Sequence, residues 1–336
     1  MAAFSASTMV RAPSFPAAPI LEIRNLRIRF ETDSGMVAAV NDVSLSLTAG
    51  ETVGIVGESG SGKSQILMSI MGLLARNGMA SGSVKLHGQE ILGLRDDRLD
   101  RLRGAAMSMI FQDPMTSLNP FLRVSTQLTE VLVKHRAMGK AEAMRHAIAM
   151  LERVSIPDAA KRIRRYPHEF SGGMRQRVMI SMALLCRPAL LFADEPTTAL
   201  DVTVQAQILE LLKELAATMG TTIVLVTHDL GVVASLCDRV VVLYGGRIME
   251  SGPAEQIFED PRHPYTKGLL DSTPRLDEKV HGKLHTIAGQ PPSLARETPG
   301  CPFEPRCAAR QPGCRTLQPV EQRRDGRTLA CHEAAL

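Results

Sequence analysis

The sequence has no apolar run long enough to cross a membrane as a helix. Its most apolar stretches are interrupted by Arg187, Asp194, His228 and Asp238. Since a spanning helix needs about 20 mainly apolar residues, we expect that the chain does not span a membrane. Apolar residues make up 44% and charged residues 22% of the 336 positions, as is usual for globular domains.

The chain also lacks a strong charge of either sign and has few aromatic residues. Its net charge is +4 and its aromatic fraction is 4%. The locally basic segment 162–165, with three arginines, is typical of a solvated helix face, so we expect no nucleic-acid partner. Residues 1–19 are rich in Ala, Ser and Pro and have no continuous apolar core, which favours a disordered extension over a secretory signal.

Residues 57–64 fit the GxxxxGK[ST] phosphate-binding loop. A strand-like run at 52–56 precedes them, and a helical apolar pattern follows at 64–74. The glycines allow backbone N–H groups to face phosphate oxygens, and the helix dipole adds positive charge there. Lys63 is predicted to contact the outer phosphates and Ser64 to reach Mg²⁺. The predicted loop ligands are Gly57, Ser59, Gly60, Ser61, Gly62, Lys63 and Ser64.

The remaining pattern predicts an α/β fold. Alternating apolar residues over 20–46 favour antiparallel strands, and the periodicity from 113 to about 187 favours a helical insert. Apolar strands at 190–193 and 222–227 flank a helix at 202–219, which predicts a parallel sheet.

Two acidic residues and a histidine follow neighbouring strands of this predicted sheet. Asp194 and Glu195 end one strand and His228 follows the next, so all three are expected at the ligand-binding edge. Asp194 could hold Mg²⁺, Glu195 could accept a proton from the attacking water, and His228 could orient that water and the γ-phosphate. The alternatives are a surface acidic pair and a structural histidine.

A second anion-binding helix start is predicted at Ser171. Ser171 is a plausible N-cap, and Gly172 and Gly173 leave backbone N–H groups exposed. The segment precedes the strand that ends in Asp194 and Glu195, which makes it more specific than a Ser-Gly-Gly run alone.

Taken together, these segments resemble the motif series of ABC transporter nucleotide-binding subunits over about residues 20–252. The series comprises the phosphate loop, Gln112, the Ser171–Gln176 signature, the strand 190–195, Ala199-Leu200-Asp201 and His228. The resemblance implies a P-loop NTPase fold with a parallel core, an antiparallel β subdomain and a helical subdomain at about 113–187.

The resemblance also implies roles for individual residues. Phe30 would stack on adenine, and Gln112 would touch Mg²⁺ and the attacking water. Ser171, Gly172, Gly173 and Gln176 would form the signature that meets ATP held by another subunit, and Asp201 would align the two subunits. Two ATP molecules would then be sandwiched between two chains.

One branch of the family is similar over a longer stretch. Residues 111–120, His263-Pro264-Tyr265-Thr266 and 300–307 resemble oligopeptide and dipeptide importer ATPases, and nickel importers share much of the pattern. This implies a peripheral subunit on the cytoplasmic face of the cell membrane, with a second ATPase subunit, two permease subunits and an extracytoplasmic solute-binding protein. The resemblance favours a paralogue as the second ATPase subunit, and a second copy of this chain is the alternative. The helical insert around 112–132 would dock on the permease. The expected domains are 1–19, 20–262 and a C-terminal extension at 263–336.

Cysteine is scarce before residue 300 and concentrated after it. Cys301, Cys307, Cys314 and Cys331 lie in a Pro-rich segment with few apolar runs, so we expect something other than apolar burial to hold this tail. Disulfides are disfavoured because the ATPase is expected in the reducing cytosol. Four thiolates suit zinc or an iron-sulfur cluster. The resemblance favours a 4Fe-4S cluster; zinc, with His332 as a possible ligand, and unligated thiols are the alternatives.

Two other functional classes are compatible with parts of the sequence. A soluble ABC ATPase acting on DNA or the ribosome is disfavoured, because only 106 residues separate Ser64 from Ser171 and the chain has one cassette. In a metal-sensing module, the tail would control an otherwise ordinary ATPase. The transported solute is set by subunits that this sequence does not include.

Overall fold

The computed structural model describes residues 18–112, 117–197, 201–272, 286–295 and 298–336, without the side chain of Val202. Several sequence predictions lie outside these ranges. They concern residues 1–17 of the N-terminal extension, residues 113–116 of the importer-like segment, and Ala199 and Leu200 before Asp201.

Two β-sheets and several helices make up the described chain. The strands are β1 (Leu21–Thr32), β2 (Gly35–Leu47), β3 (Thr52–Val56), β4 (Gly78–Leu86), β5 (Gln89–Glu90), β6 (Met107–Ile110), β7 (Leu190–Asp194), β8 (Thr222–Val226), β9 (Arg239–Tyr244), β10 (Arg247–Pro253), β11 (Gln322–Arg324) and β12 (Arg327–Leu329). The α-helices are α1 (Lys63–Met71), α2 (Asp96–Leu102), α3 (Val124–Arg136), α4 (Lys140–Arg153), α5 (Ala159–Arg162), α6 (Gly172–Leu184), α7 (Val202–Met219), α8 (Leu230–Leu236), α9 (Ala254–Glu259) and α10 (Pro264–Asp271).

The N-terminal strands form the smaller, antiparallel sheet in the order β2-β1-β4-β5. Ile23, Leu26 and Ile28 of β1 are buried, while Arg24 and Arg27 are exposed. The alternating pattern therefore marks the buried face of this sheet, as predicted. A residue with positive φ at Asn25 accompanies the irregular register in the middle of β1.

The larger sheet positions the candidate site. Its order is β11-β12-β10-β9-β3-β8-β7-β6, and the five strands from β9 to β6 run parallel. All five residues of β7 are buried, because helices cover both faces of a parallel sheet. The carboxyl ends of β3, β7 and β8 therefore share one edge, as the sequence predicts.

The helical part inserted between β6 and β7 has its own apolar contacts. Helices α3, α4 and α6 pack on one another, and α6 also packs on β6. Leu128, Leu151 and Ile180 are fully buried in this part. No helix within the described ranges is long and apolar enough to cross a membrane.

The C-terminal extension is built onto the larger sheet. Strand β12 pairs antiparallel with β10, and β11 extends the sheet by one further strand. Phe303 is buried against Tyr244 and Tyr265, with ring centroids 5.2 and 5.3 Å apart, and Leu329 is fully buried. Apolar burial therefore contributes to holding the tail, which the sequence alone does not predict. Isolated apolar residues of the tail are buried by the cassette, a contact that the local sequence does not reveal.

A buried ion pair adds to this attachment. Arg327 of β12 donates to Oε1 of Glu250 of β10 at 2.8 Å, and both side chains are buried. The same carboxylate accepts the backbone N–H groups of Arg262 and His263 at 2.9 Å. Glu250 therefore joins β10, β12 and the segment that leads into α10.

His263 makes the stability of this region depend on pH. Burial lowers its pKa from the usual 6.5 to about 4. Since the unfolded chain binds the proton more readily, stability is complete above pH 6.5 and is lost as the pH falls toward 4. Between pH 7 and pH 5 we expect this residue to reduce the free energy of unfolding by about 2 kcal/mol. The difference in pH dependence between the wild type and His263→Asn, from urea unfolding, measures it; identical slopes would contradict the assignment.

Candidate nucleotide site

The phosphate loop lies between β3 and α1, and close backbone approaches require two of its glycines. Gly57 has φ +152°, and a Cβ atom there would lie 2.1 Å from the carbonyl oxygen of Leu243. A Cβ atom at Gly62, with φ +101°, would lie 2.4 Å from the carbonyl oxygen of Ala39. Ser59 and Gly60 are exposed at the tip of the loop. The resulting backbone cradle suits phosphate oxygens.

Lys63 is buried beneath this loop and holds it closed on itself. Its Nζ donates to the carbonyl oxygens of Gly57 and Glu58 at 2.8 and 3.0 Å, and it lies 3.5 Å from Oγ of Ser61. Burial lowers the pKa of Lys63, while the carboxylates of Glu195 and Asp194 act in the opposite direction. The cation therefore lies inside the loop, and its contact with the outer phosphates stays a prediction.

Ser64 and Asp194 come together below the loop. The Ser64 hydroxyl donates to Oδ1 of Asp194 at 2.9 Å, although the two residues are 130 positions apart. Burial raises the pKa of Asp194, and the hydrogen bond from Ser64 partly offsets this effect. Hydroxyl and carboxylate oxygens are the ligands that Mg²⁺ prefers, so this pair fits the predicted metal. Gln112 is the third predicted ligand.

Glu195 is contacted by both of its predicted catalytic partners. Its Oε2 accepts a hydrogen bond from Nε2 of Gln112 at 2.9 Å, and its Oε1 lies 3.3 Å from Nδ1 of His228. The backbone of Glu195 has φ +44°, a conformation that is uncommon for a residue with a side chain. With this conformation the chain turns away from β7 directly after Asp194, so the two acidic residues lie at the edge of the sheet. Strained backbone of this kind is concentrated at functional sites.

The signature segment begins a helix, as predicted. Oγ of Ser171 accepts the Met174 N–H at 3.4 Å and caps α6, which starts at Gly172. Gln176 is buried, and its Nε2 donates to the carbonyl oxygen of Pro196. The first turn of α6, including half-buried Gly173, is thereby tied to the segment that follows Glu195.

Two other predicted residues have evident structural contacts. Oδ1 of Asp201 accepts the Val204 N–H at 2.9 Å and caps α7. Phe30 is half-buried near the end of β1, and a Cβ atom at Gly78 would lie 2.7 Å from its ring. Their roles in subunit alignment and adenine stacking stay predictions.

Asp229 and Gln205, which are not among the residues predicted from the sequence, hold the backbone next to His228 in place. Asp229 caps α8 through the Val232 N–H at 3.2 Å, and its other carboxylate oxygen accepts from Nε2 of Gln205 at 3.1 Å. These contacts fix the backbone directly after His228. The sequence signal for this helix cap is Asp229 itself, a short polar residue directly before an apolar helix.

The four tail cysteines are close enough to affect one another. Burial raises the pKa of Cys301 to about 11, and Cys331, Cys314 and Cys307 act in the same direction. In the part of the chain that the structure describes, however, no group of three or more His, Cys, Asp or Glu side chains is arranged to hold a metal ion. The predicted ligand set of Cys301, Cys307, Cys314 and Cys331 is therefore not preformed. Four cysteines in one segment give the donor count but do not fix the direction of each Cβ–Sγ bond.

Comparisons with known proteins agree with this geometry. A family profile described as ABC transporter matches residues 40–198, and one described as oligopeptide/dipeptide transporter, C-terminal region, matches residues 249–314. The oligopeptide transport ATP-binding protein OppD of Salmonella typhimurium is 56% identical over 324 residues, which cover 96% of each chain. The dipeptide transport ATP-binding protein DppD of Bacillus subtilis is 50% identical over 316 residues, covering 93% of this chain and 94% of the relative.

Solved structures show the same cassette. A dimeric post-hydrolysis state of the ATP-binding cassette MJ0796, bound to ADP and Pi, has a TM-score of 0.62 and 30% identity, and covers 70% of this chain and 98% of its own. The family, the cassette fold and the ATPase activity that the sequence predicts are confirmed. The chain therefore belongs to the ABC transporter ATPases, in the branch of the oligopeptide and dipeptide transport ATP-binding proteins.

Proposed function

We propose that this ATPase energises import of di- and oligopeptides through a membrane permease. The observation that carries the proposal is that the similarity to peptide-transport relatives spans nearly the whole chain, including the C-terminal region. The runner-up is import of nickel or another small solute by the same machinery. A soluble ABC ATPase that is not coupled to transport is the least supported alternative.

In the proposed mechanism, each chain positions one ATP and activates the attacking water. The Gly57–Ser64 loop and Lys63 would hold the phosphates, while Ser64, Gln112 and Asp194 would hold Mg²⁺, which neutralises developing charge when bound. Glu195 would take the proton of the attacking water, and His228 would orient that water and the γ-phosphate. The contacts of Gln112 and His228 with Glu195 support this arrangement.

The proposed ATP site is completed by a second ABC subunit. Ser171, Gly172 and Gly173 would meet the γ-phosphate that the other subunit's loop holds, and Asp201 would align the subunits. Dimeric solved structures of a 30% identical cassette support a pair of cassettes. We infer that the partner here is a paralogue.

The proposed permease surface is an apolar groove between the larger sheet and the helical part. Its cavity of about 610 Å³ is lined by residues that include Phe111, Val131 and Met179. Phe121, with 86% of its surface exposed, and Leu122 lie nearby in sequence, before α3. An exposed apolar surface of this kind suits a protein partner. We infer a peripheral position on the cytoplasmic face of the cell membrane, with an extracytoplasmic solute-binding protein in the full complex.

The proposed solute is tested with the assembled transporter. The ATPase subunits, permease and binding protein are copurified and reconstituted in liposomes, and ATP hydrolysis is measured with di- and oligopeptides or with Ni²⁺. We expect stimulation by peptides and none by Ni²⁺. Stimulation by Ni²⁺ alone would favour the nickel importer, and hydrolysis that is independent of permease and solute would favour the soluble ATPase.

We also propose that Cys301, Cys307, Cys314 and Cys331 bind a 4Fe-4S cluster, with zinc as the alternative. The support is the donor set and two backbone N–H groups, of Gln311 and Ala334, that lie 3.5 Å from Sγ of Cys314 and Cys331. Binding would require the thiols to reorient and would stabilise the tail.

Metal analysis distinguishes the possibilities for this tail. In protein purified without oxygen, we expect iron and sulfide in equal amounts, with broad absorbance in the blue. Removing the iron with a chelator should lower the thermal stability of the extension. Stoichiometric zinc without iron would contradict the cluster.

A further inference from the structure

We propose that Arg306 of the C-terminal extension is a positioning residue for ATP binding, which acts by fixing Glu58 in the phosphate loop. Arg306 and Glu58 are 248 positions apart in sequence. The extension would thereby form part of the nucleotide site. This inference concerns ATP binding itself and does not depend on which solute is transported.

The contact between the two side chains is bidentate and largely shielded from solvent. Nη1 of Arg306 donates to Oε2 of Glu58 at 2.7 Å, and Nη2 donates to Oε1 at 3.0 Å. The side chain of Arg306 is 5% exposed and that of Glu58 is 23% exposed. Parallel charged hydrogen bonds of this type fix orientation as well as distance. Exposed ion pairs contribute little, but this pair is not one of them.

Arg306 is itself held in place by several other groups. Its Nε donates to the carbonyl oxygen of Ala288 at 2.9 Å, and Nη2 also donates to that of Ile287 at 3.0 Å. Nη1 donates to the hydroxyl of Tyr244 at 3.1 Å. These contacts hold the guanidinium independently of Glu58, so it can fix the position of Glu58 in the loop.

Glu58 is also held through its backbone. Its N–H donates to the hydroxyl of Tyr265 at 2.9 Å, and its carbonyl oxygen accepts from Nζ of Lys63 at 3.0 Å. Tyr265 is fully buried beside Tyr244 and Phe303. The hydroxyl of Tyr265 and the guanidinium of Arg306 thus both contact the second residue of the loop, and the hydroxyl of Tyr244 contacts that guanidinium.

This arrangement bears directly on nucleotide affinity. Lys63 must leave the carbonyl oxygens of Gly57 and Glu58 to reach a phosphate, and the loop must then hold its shape without that internal contact. A loop that is already fixed at residue 58 loses less conformational freedom on binding ATP. Removing the Arg306 contact should therefore raise the KM for ATP more than it lowers kcat.

The test is a double-mutant cycle in the assembled transporter, with Arg306→Gln, Glu58→Gln and the combined variant. We expect each single change to raise the KM for ATP roughly 3- to 10-fold with kcat reduced less than twofold, since loop preorganisation is lost. Because both single changes remove the same contact, the KM for ATP of the double variant should not exceed that of the more strongly affected single variant. Arg306→Lys, which keeps the charge but lacks the two parallel N–H donors, should recover part of the affinity for ATP.

Arg323→Gln is the matched control in the same extension. Arg323 pairs with Glu321 and is 70% exposed, so the KM for ATP should be unchanged. Independent, additive effects of the two changes would show that Arg306 acts only on the fold of the extension and would overturn the proposal. If Arg306→Gln fails to fold, Glu58→Gln decides alone, and an unchanged KM in that variant would also overturn it.

Discussion

Glu195→Gln is expected to retain ATP binding and to reduce ATP turnover by roughly 10²- to 10⁴-fold, the usual contribution of a general base. Glutamine keeps the size of the side chain and can still bond with Gln112 and His228, which contact the two carboxylate oxygens. It cannot accept a proton from the attacking water at neutral pH. Steady-state hydrolysis by the assembled transporter, together with equilibrium binding of ATP, measures the two effects separately.

A glutamate on an exposed helix face provides the control for this change. Glu210 lies on α7 and is exposed, so Glu210→Gln should hydrolyse ATP as the wild type does. Hydrolysis by Glu195→Gln at the wild-type rate would remove Glu195 from the proposed mechanism. A loss of ATP binding in that variant would instead assign Glu195 to the binding of nucleotide.

The second large effect is expected at Lys63. Lys63→Ala should weaken ATP binding and reduce hydrolysis by about 10²- to 10³-fold, the scale of losing one preorganised donor to developing charge. The side chain is buried under the loop and donates to the carbonyl oxygen of Gly57, so the substitution removes the cation from the interior of the loop. ATP titration by fluorescence and steady-state hydrolysis provide the measurement.

Two further substitutions make the Lys63 result specific. Lys63→Arg keeps the charge, but its planar guanidinium differs in shape from the ammonium that donates to the carbonyl oxygens of Gly57 and Glu58, so it should recover little activity. Lys140→Ala, at the exposed start of α4, should change nothing. Near-normal ATP affinity in Lys63→Ala, with unchanged thermal stability, would contradict the role given to this residue.

The parts of the site that could be predicted from sequence are those encoded by adjacent residues. The phosphate loop carries its glycines, lysine and serine in one segment. Gly57 and Gly62 mark its turns, because close backbone approaches at these two positions exclude any side chain. Asp194 could be placed at the sheet edge because the buried strand before it is continuously apolar. Local chemistry and strand direction were sufficient in both cases.

The parts that could not be predicted depend on contacts between distant segments. The backbone of Glu195 adopts φ +44° without a glycine to signal it, and its partner Gln112 is 83 positions away. Strands β11 and β12 have three residues each, too few to show a period. Burial of Phe303 and the pairing of Arg306 with Glu58 follow from how the extension packs on the cassette.

The most direct test of the account is whether ATP is held between two ABC subunits. The subunit with Glu195→Gln, mixed with the proposed paralogous partner carrying the equivalent change, is examined by light scattering and by counting bound ATP. We expect ATP to produce a stable pair with two nucleotides, and Ser171→Arg in this chain to prevent pairing while Ser34→Arg in the turn after β1 does not. ATP binding with unchanged affinity to subunits that never pair, whatever stands at residue 171, would contradict the composite site.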